Sequence, residues 1–322
     1  MEPKMNIADK TIEAINKKQC PICVGLDPTI DKIPKFIVDK QVKEHGNTTK
    51  AVAESFKEFS YALLDELHHL VPVVKPNIAF WEMYGPAGVE ALIETIKYAK
   101  DKGLIVIIDA KRQDIGNTSK AYAQGLIGDV PLPKDSTTNI DADWVTVGAY
   151  SGSDTINEFI DVCKSNNKGI IVLVRTSNDS AKEFQDLKSS EKELFKHVAA
   201  KVNEWGKDLI GEKGFSAVAA VVGATYPEEA AELRKLMPNT FFLVPGYGAQ
   251  GGGGKDTIPN FNDEGFGAVV NSSRGIIFAY QKDDKDEKDF AISAKDAIIA
   301  MKHDILNAMK EADKLPEGWT VE

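Results

Sequence analysis

The sequence predicts an α/β protein of the (β/α)8 (TIM) barrel class, a single domain over residues 1–322 with loop insertions at the C-terminal face. Three observations carry this. Eight short apolar runs alternate with longer amphipathic stretches. The runs are near-continuous rather than alternating apolar and polar, as strands are when helices cover both faces of a parallel sheet. No Pro/Ser/Gly-rich linker, low-complexity block or internal repeat divides the chain. A doubly wound open sheet is the alternative architecture.

In chain order the expected strands are "CPICVGLD" (20–27), "VPVVKPN" (71–77), "LIVIIDAK" (104–111), "DWVTVGA" (143–149), "GIIVLVR" (169–175), "FSAVAAVVG" (215–223), "TFFLVPG" (240–246) and "FGAVVNSS" (266–273). Residues 51–70, 87–101, 190–209 and 227–236 carry the one-sided apolar pattern of helices. The excess length falls in residues 28–50, 127–142 and 176–190. These are expected to follow strands one, three and five, and so to emerge where a barrel keeps its site. Within the first of them, residues 31–45 suit a lid or an interface element equally. "KDDKDEKD" (282–289) reads as a solvated charged turn before the last helix.

Composition narrows the function classes. Thirty-nine basic against 49 acidic residues give a net charge of −10, and no basic stripe stands out, so a nucleic-acid partner is not expected. The opening "MEPKMNIADK" has no apolar core of a signal peptide, and no run is long enough to span a bilayer. The expectation is a cytoplasmic protein with no membrane partner. Cys20 and Cys23 form a C-P-I-C, but no second ligand pair stands at zinc-site spacing. With Cys163 they are expected to be reduced thiols near the core.

Polar residues at the C-terminal ends of barrel strands read as chemistry. Here strand one ends in Asp27, strand two in Lys75 and Asn77, and strand three in Asp109, Lys111 and, just beyond, Asp114, with Asn117 and Thr118 behind. Strand five ends in Arg175, Thr176 and Ser177, strand seven runs into "PGYGAQGGGG", and strand eight into "NSSRG". Charges closing an apolar run cost free energy unless they pair or work. Asp109 and Lys111, two apart, share a strand face, as do Lys75 and Asn77. If both faces point inward, Lys75, Asp109 and Lys111 converge on one mouth. A lysine among carboxylates keeps its proton, which makes it a poor Schiff-base nucleophile and a good proton donor. A salt-bridge cluster that merely caps the barrel is the structural alternative.

Residues 246–251 form a literal G-x-G-x-x-G, yet "GGGKDTIPNF" follows, too glycine-rich and too soon broken by Pro259 for the helix of a dinucleotide fold. It is no Walker A either, since Ala249 stands at the first glycine and Asp256 at the Ser/Thr. A phosphate gripper fits better: glycine backbone N–H groups, Gln250 as a donor, and Arg274 after strand eight as a bidentate fork. The site therefore suits a phosphorylated small molecule whose anionic reacting centre lies at the far end from its phosphate.

"DAKRQDIGNT" has the D-x-K-x-x-D-I-G form, and together with "VGLDP", "KPNIAFWE", "VVGATYPEE", "PGYGAQGG" and "NSSRGI" it resembles the longer bacterial and protozoan branch of the orotidine 5′-phosphate decarboxylases. The resemblance runs over most of the chain. It implies decarboxylation of orotidine 5′-phosphate to UMP, the last step of de novo pyrimidine nucleotide synthesis, with no metal and no cofactor. It assigns Lys111, Asp109, Asp114 and Lys75 to the catalytic charge array, Lys111 delivering the proton to C6. Asp27 and Lys75 would bind ribose hydroxyls, with Asn77 beside them. Thr176 or Ser177 would meet the pyrimidine, and Gln250 and Arg274 the phosphate. Asp114 and Thr118 would reach across a homodimer interface into the neighbour's site. Two departures from that family's pattern are "VTVGAY" (145–150), where Asn-Pro-Tyr is commoner, and Gln113, where Gly is usual.

The nearest rival is a Mg-dependent phosphosugar lyase or decarboxylase of the same superfamily. It shares D-x-K-x-x-D but needs a further carboxylate near the first strands. Glu82 in "KPNIAFWE" is available, although Lys75 ahead of it favours the metal-free reading. A Schiff-base aldolase and a non-catalytic phosphate-ligand binder are weaker alternatives.

Overall fold

The computed structural model describes residues 5–248, 251–282 and 286–321. Eight parallel strands close into a barrel: β1 (Ile22–Leu26), β2 (Val73–Pro76), β3 (Ile105–Arg112), β4 (Trp144–Val147), β5 (Gly169–Arg175), β6 (Ser216–Val222), β7 (Thr240–Val244) and β8 (Ala268–Ser272). Each pairs with the next and β8 returns to β1, where Ile22 stands opposite Val270. Every expected strand is present, with ends within two residues of those read from the apolar runs.

Among the described residues nine helices of more than one or two turns accompany the strands: α1 (Ile7–Lys18), α2 (Lys35–His45), α3 (Thr49–Leu67), α4 (Gly85–Asp101), α5 (Gly116–Ile127), α6 (Ser153–Asn166), α7 (Leu194–Trp205), α8 (Pro227–Leu236) and α9 (Phe290–Glu311). Local chemistry sets several of their ends. Asn6 and Asp9 exchange reciprocal 2.9 Å hydrogen bonds as a capping box for α1. Pro227 opens α8, with Glu228 and Glu229 in its first turn and Arg234 and Lys235 in its last, as the helix dipole favours. The Arg234 guanidinium is buried and, among the described residues, has no carboxylate partner. It donates instead to the carbonyls of Asn260, Met237, Thr240 and Gly267, tying α8 to the floor of β7 and β8.

The three insertions do not all lie at the mouth. Residues 28–50 do follow β1; their helix α2 docks on α3, Lys40 Nζ standing 2.9 Å from Glu58. Residues 31–45 are thus packed on their own chain rather than left as a free flap. Residues 176–190 also follow their strand, β5. Residues 127–142 do not: they leave from the end of α5, which has already carried the chain back down the barrel. Their two-stranded hairpin (Asp129–Pro131 with Ser136–Thr138) meets the last turn of α6 through Asn166 Nδ2 and Asp129. It decorates the rim opposite the site. The sequence places an insertion by the strand it follows only when no helix intervenes, and 116–127 was not recognised as one. Of the charged stretch 282–289, residues 283–285 lie outside the described residues; Glu287–Asp289 form a 3-10 turn leading into α9, and Glu287 caps the backbone N–H of Lys35.

Candidate active site

At the C-terminal ends of the strands lies a cavity of about 340 Å³, within the range of small-molecule sites. Asp27, Lys75, Asp109 and Lys111 line one part of it, and Gly246, Tyr247, Ser273 and Arg274 another. The expected convergence of strands two and three takes place. Lys75 Nζ donates to Asp109 Oδ2 at 2.9 Å, and Lys111 Nζ to Asp109 Oδ1 at 2.6 Å. The carboxylate is therefore clamped between two ammonium groups.

The clamp is asymmetric in burial. The side chains of Lys75 and Asp109 are 7% and 9% exposed, whereas that of Lys111 is half exposed. Burial alone would lower the pKa of Lys75, but the carboxylates of Asp109 and Asp27 outweigh it and hold the group well above the ordinary lysine value. Burial alone would raise Asp109; the Lys75 and Lys111 ammonium groups outweigh it and keep the carboxyl far below the usual range. Lys75 and Asp109 thus form a buried ion pair, and Lys111 is the solvent-facing member of the array.

β3 bends to present these groups. Lys111 has φ +46°, the left-handed region that costs a non-glycine residue roughly 1–3 kcal/mol. The ladder to β4 slips between Ile108 and Arg112, a bulge of the kind that re-aims side chains beside active sites. Thr146 on β4, fully buried, donates to Asp109 Oδ1 at 2.8 Å and accepts from the Lys111 N–H at 3.0 Å. The sequence reading did not select Thr146. Its signal was there, a lone hydroxyl inside the apolar "WVTV".

Asp27 lines the cavity with Oδ1 buried and lacking a hydrogen-bond partner among the described residues, and Asn271 Oδ1 on β8 is in the same condition. Buried acceptors left open in this way are what a ligand hydroxyl or N–H would satisfy. Thr176 and Ser177 also line the cavity; Gln185 holds Thr176 through both its backbone N–H and its hydroxyl. Asn77 stands behind the array rather than on the cavity wall, its Nδ2 3.4 Å from Asp109 Oδ2. Arg175, the other charge at the end of β5, turns away from the cavity. It pairs with Glu229 and Asp186 and stacks over Tyr226 at 4.3 Å, so its work is structural.

The glycine-rich turn after β7 owes its glycines to geometry. Gly246, Gly248 and Gly251 have φ +107°, +72° and +93°, and Gly252 N–H closes the turn onto the Gly246 carbonyl. The helix that follows, Gly254–Thr257, is one turn long, which sets the dinucleotide reading aside. Gln250 lies outside the described residues. Among the described residues no carboxylate pairs with the guanidinium of Arg274, which faces both this cavity and an adjoining cleft.

Besides Asn77, two more of the expected site residues are not on the cavity wall. Asp114 caps its own loop, its Oδ1 accepting from the Ile115 N–H, and its carbonyl accepts from the Thr155 hydroxyl. Thr118 is exposed on α5. Glu82, the carboxylate that a metal-dependent chemistry would recruit, is paired with Arg112 at 3.2 Å and does not line the cavity. Among the described residues no cluster of three or more His, Cys, Asp or Glu side chains is arranged to hold a metal. Cys20, Cys23 and Cys163 are buried and unpaired; burial pushes the Cys20 thiol up to about 11 and the Cys23 thiol up to about 12.

Fold and cavity together define a class: barrel enzymes whose mouth sets a buried lysine–carboxylate array across from a glycine-lined, arginine-bearing rim. Comparison with known proteins gives the particular family. The profile of the orotidine 5′-phosphate decarboxylase / HUMPS family matches residues 21–288, and the chain belongs to that family. It is 41% identical over 301 residues to the orotidine 5′-phosphate decarboxylase of Rhodopirellula baltica, covering 92% of this chain and 98% of that one. It is 40% identical over 281 residues to that of Caldicellulosiruptor bescii, covering 86% and 91%. A Toxoplasma gondii chain assigned as an orotidine-monophosphate-decarboxylase superposes with a TM-score of 0.77 at 29% identity, covering 96% of this chain and 99% of the other.

Proposed function

We infer that this chain decarboxylates orotidine 5′-phosphate to UMP, in pyrimidine nucleotide synthesis, without a metal or cofactor. The observation that carries the reading is the Lys111 ammonium: half exposed in the cavity, yet fixed 2.6 Å from a carboxylate that Lys75 and Thr146 also hold. When the C6–carboxylate bond breaks, CO2 leaves and its electron pair stays on C6. A preorganised ammonium at that point stabilises the growing negative charge and then donates its proton to form the C6–H bond. Lys111 recovers a proton from water. The deeper Lys75 and Thr146 hold Asp109, and Asp109 holds the Lys111 head in place. Enzymatic accelerations need roughly 8–23 kcal/mol of barrier lowering, and a carbanion with no electron sink belongs toward the upper end.

Arg274, the glycine turn and Gln250 are read as the phosphate end, with Asp27 and Lys75 at the ribose and Thr176 and Ser177 at the pyrimidine. Phosphate held there supplies binding energy remote from the reacting carbon. Asp114 and Thr118 are read as donated to the site of a second copy in a homodimer. They lie beside the exposed apolar side chains of Ile115 and Tyr122, on a face that such a copy would cover. Residues 1–322 are taken as one domain. No helix among the described residues is long and apolar enough to cross a membrane, and a cytoplasmic site of action belongs to the same reading.

The test is loss of orotidine 5′-phosphate absorbance with purified protein, with and without EDTA, alongside Lys111→Ala. EDTA-insensitive turnover that the substitution abolishes supports the reading. Turnover that EDTA removes would instead favour the Mg-dependent branch of the family.

A further inference from the structure

We propose that the buried hydroxyl of Thr146 is a positioning group for the proton-delivering lysine. The inference rests on the decarboxylase reading above and adds a residue on β4 to it. Pairing between β3 and β4 runs Ile107 with Trp144 and Ile108 with Val145, then resumes at Arg112 with Val147. β3 thus advances from 108 to 112 while β4 advances only from 145 to 147, and Asp109, Ala110 and Lys111 bulge out of the ladder. A bulge leaves backbone groups without their strand partners. For Lys111 the missing partner is replaced by a side chain: its N–H donates to Thr146 Oγ1 at 3.0 Å.

The same oxygen donates onward. Thr146 Oγ1 lies 2.8 Å from Asp109 Oδ1, the carboxylate oxygen that also holds Lys111 Nζ at 2.6 Å. Proton direction is fixed along this path. A backbone N–H only donates and an ionised carboxylate only accepts, so the one hydroxyl proton must point at Asp109. Thr146 thereby ties the backbone of Lys111, held at φ +46°, and the head of the same side chain to one carboxylate oxygen. It is 1% exposed and sits on a strand, so the tie is held by packing rather than by a mobile loop. Valine has the same shape and neither hydrogen bond; serine keeps both.

The experiment is steady-state kinetics on orotidine 5′-phosphate for the wild type, Thr146→Val, Thr146→Ser and Thr146→Cys, with UMP affinity and a thermal melt for each. Loss of a positioning group appears in kcat more than in KM. Thr146→Val is expected to lower kcat about 30-fold or more, with KM and UMP affinity within about threefold of wild type and Thr146→Ser within about threefold in every parameter. If Thr146→Val does not melt cooperatively, Thr146→Cys, of similar shape and weak hydrogen bonding, carries the test with the same expected loss. A folded Val or Cys variant with kcat within about threefold of wild type overturns the inference, and so does a Ser variant as impaired as Val. Wild-type protein inactive on this substrate overturns the decarboxylase reading and this inference with it. An active wild type beside an unimpaired Val variant overturns the inference alone.

Discussion

The side chain of Gln113 fills the space that Gly148 leaves open: a β-carbon at 148 would stand 2.2 Å from Gln113 Oε1 and 3.3 Å from its Cβ. These positions face each other across the β3–β4 mouth. The backbone joins them as well, since the Gly148 N–H donates to the Arg112 carbonyl at 3.0 Å. The residue without a β-carbon makes room for the long one.

Gly148→Ala should therefore be mild. The nearest atom is the tip of an exposed, flexible side chain, which can swing into solvent. The expected cost in a denaturant melt is under about 1 kcal/mol, and Gln113→Gly should erase it, leaving a coupling of about 0.5–1 kcal/mol in the double-mutant cycle. Costs that simply add would mean that the two positions are independent.

The pH behaviour of the charge array follows from the two shifts. The folded pKa of Asp109 is lowered, so its contribution to stability is complete above about 3.9 and is lost as pH falls through the lowered value. The folded pKa of Lys75 is raised, so its contribution is complete below about 10.4 and is lost as pH rises through the raised value. Asp109→Asn leaves Lys75 buried beside only Asp27 and should cost about 3 kcal/mol at neutral pH. The gap in Tm between wild type and variant should be level between about pH 5 and pH 9 and narrow below about pH 4. A gap that keeps widening down to pH 3 would mean that Asp109 is not the charged partner.

Much of this was legible in the residues. Near-continuous apolar runs located all eight strands, because parallel strands covered on both faces carry that signature without help from tertiary context. The pairing of Asp109 with Lys111 followed from strand alternation, and that of Lys75 with Asp109 from the assumption that both faces point inward. What escaped depended on partners distant in sequence. Arg175 looked like chemistry until Glu229 and Asp186 closed around it. Thr146 looked like one more β-branched strand residue until the bulge in β3 brought a carboxylate and a stray N–H to it. The hairpin at 129–138 looked like a mouth insertion because α5, with exposed residues through its first turns, lacks the clean apolar stripe that would have declared a helix.

Donation of Asp114 across a dimer gives a direct complementation test. If each site takes Lys111 from one copy and Asp114 from the other, Lys111→Ala and Asp114→Asn are each inactive as homodimers. Mixed dimers hold one site with both lesions and one with neither. Co-refolding equal amounts should recover about a quarter of wild-type activity under random pairing, because half of the dimers are mixed and half of their sites are intact. No recovery, with mixed dimers demonstrated by differential tagging, would place Asp114 in the site of its own chain.

The two ends of the cavity can be separated by removing the phosphate from the substrate rather than from the protein. Arg274 lines the cavity with no carboxylate among the described residues to compete for it, and it stands in the rim set apart from the Lys75–Asp109–Lys111 array. A charge-assisted hydrogen bond to phosphate contributes about 1.5–3 kcal/mol, so Arg274→Ala should lower kcat/KM for orotidine 5′-phosphate roughly 10- to 150-fold. For orotidine, which has no phosphate to hold, the same substitution should change kcat/KM by less than about twofold. Lys111→Ala should abolish turnover of both substrates, since the carbanion forms in either. Should Arg274→Ala impair orotidine as severely as the phosphorylated substrate, the guanidinium would be supporting the fold of the mouth, and the phosphate would have to be held by the glycine turn without it.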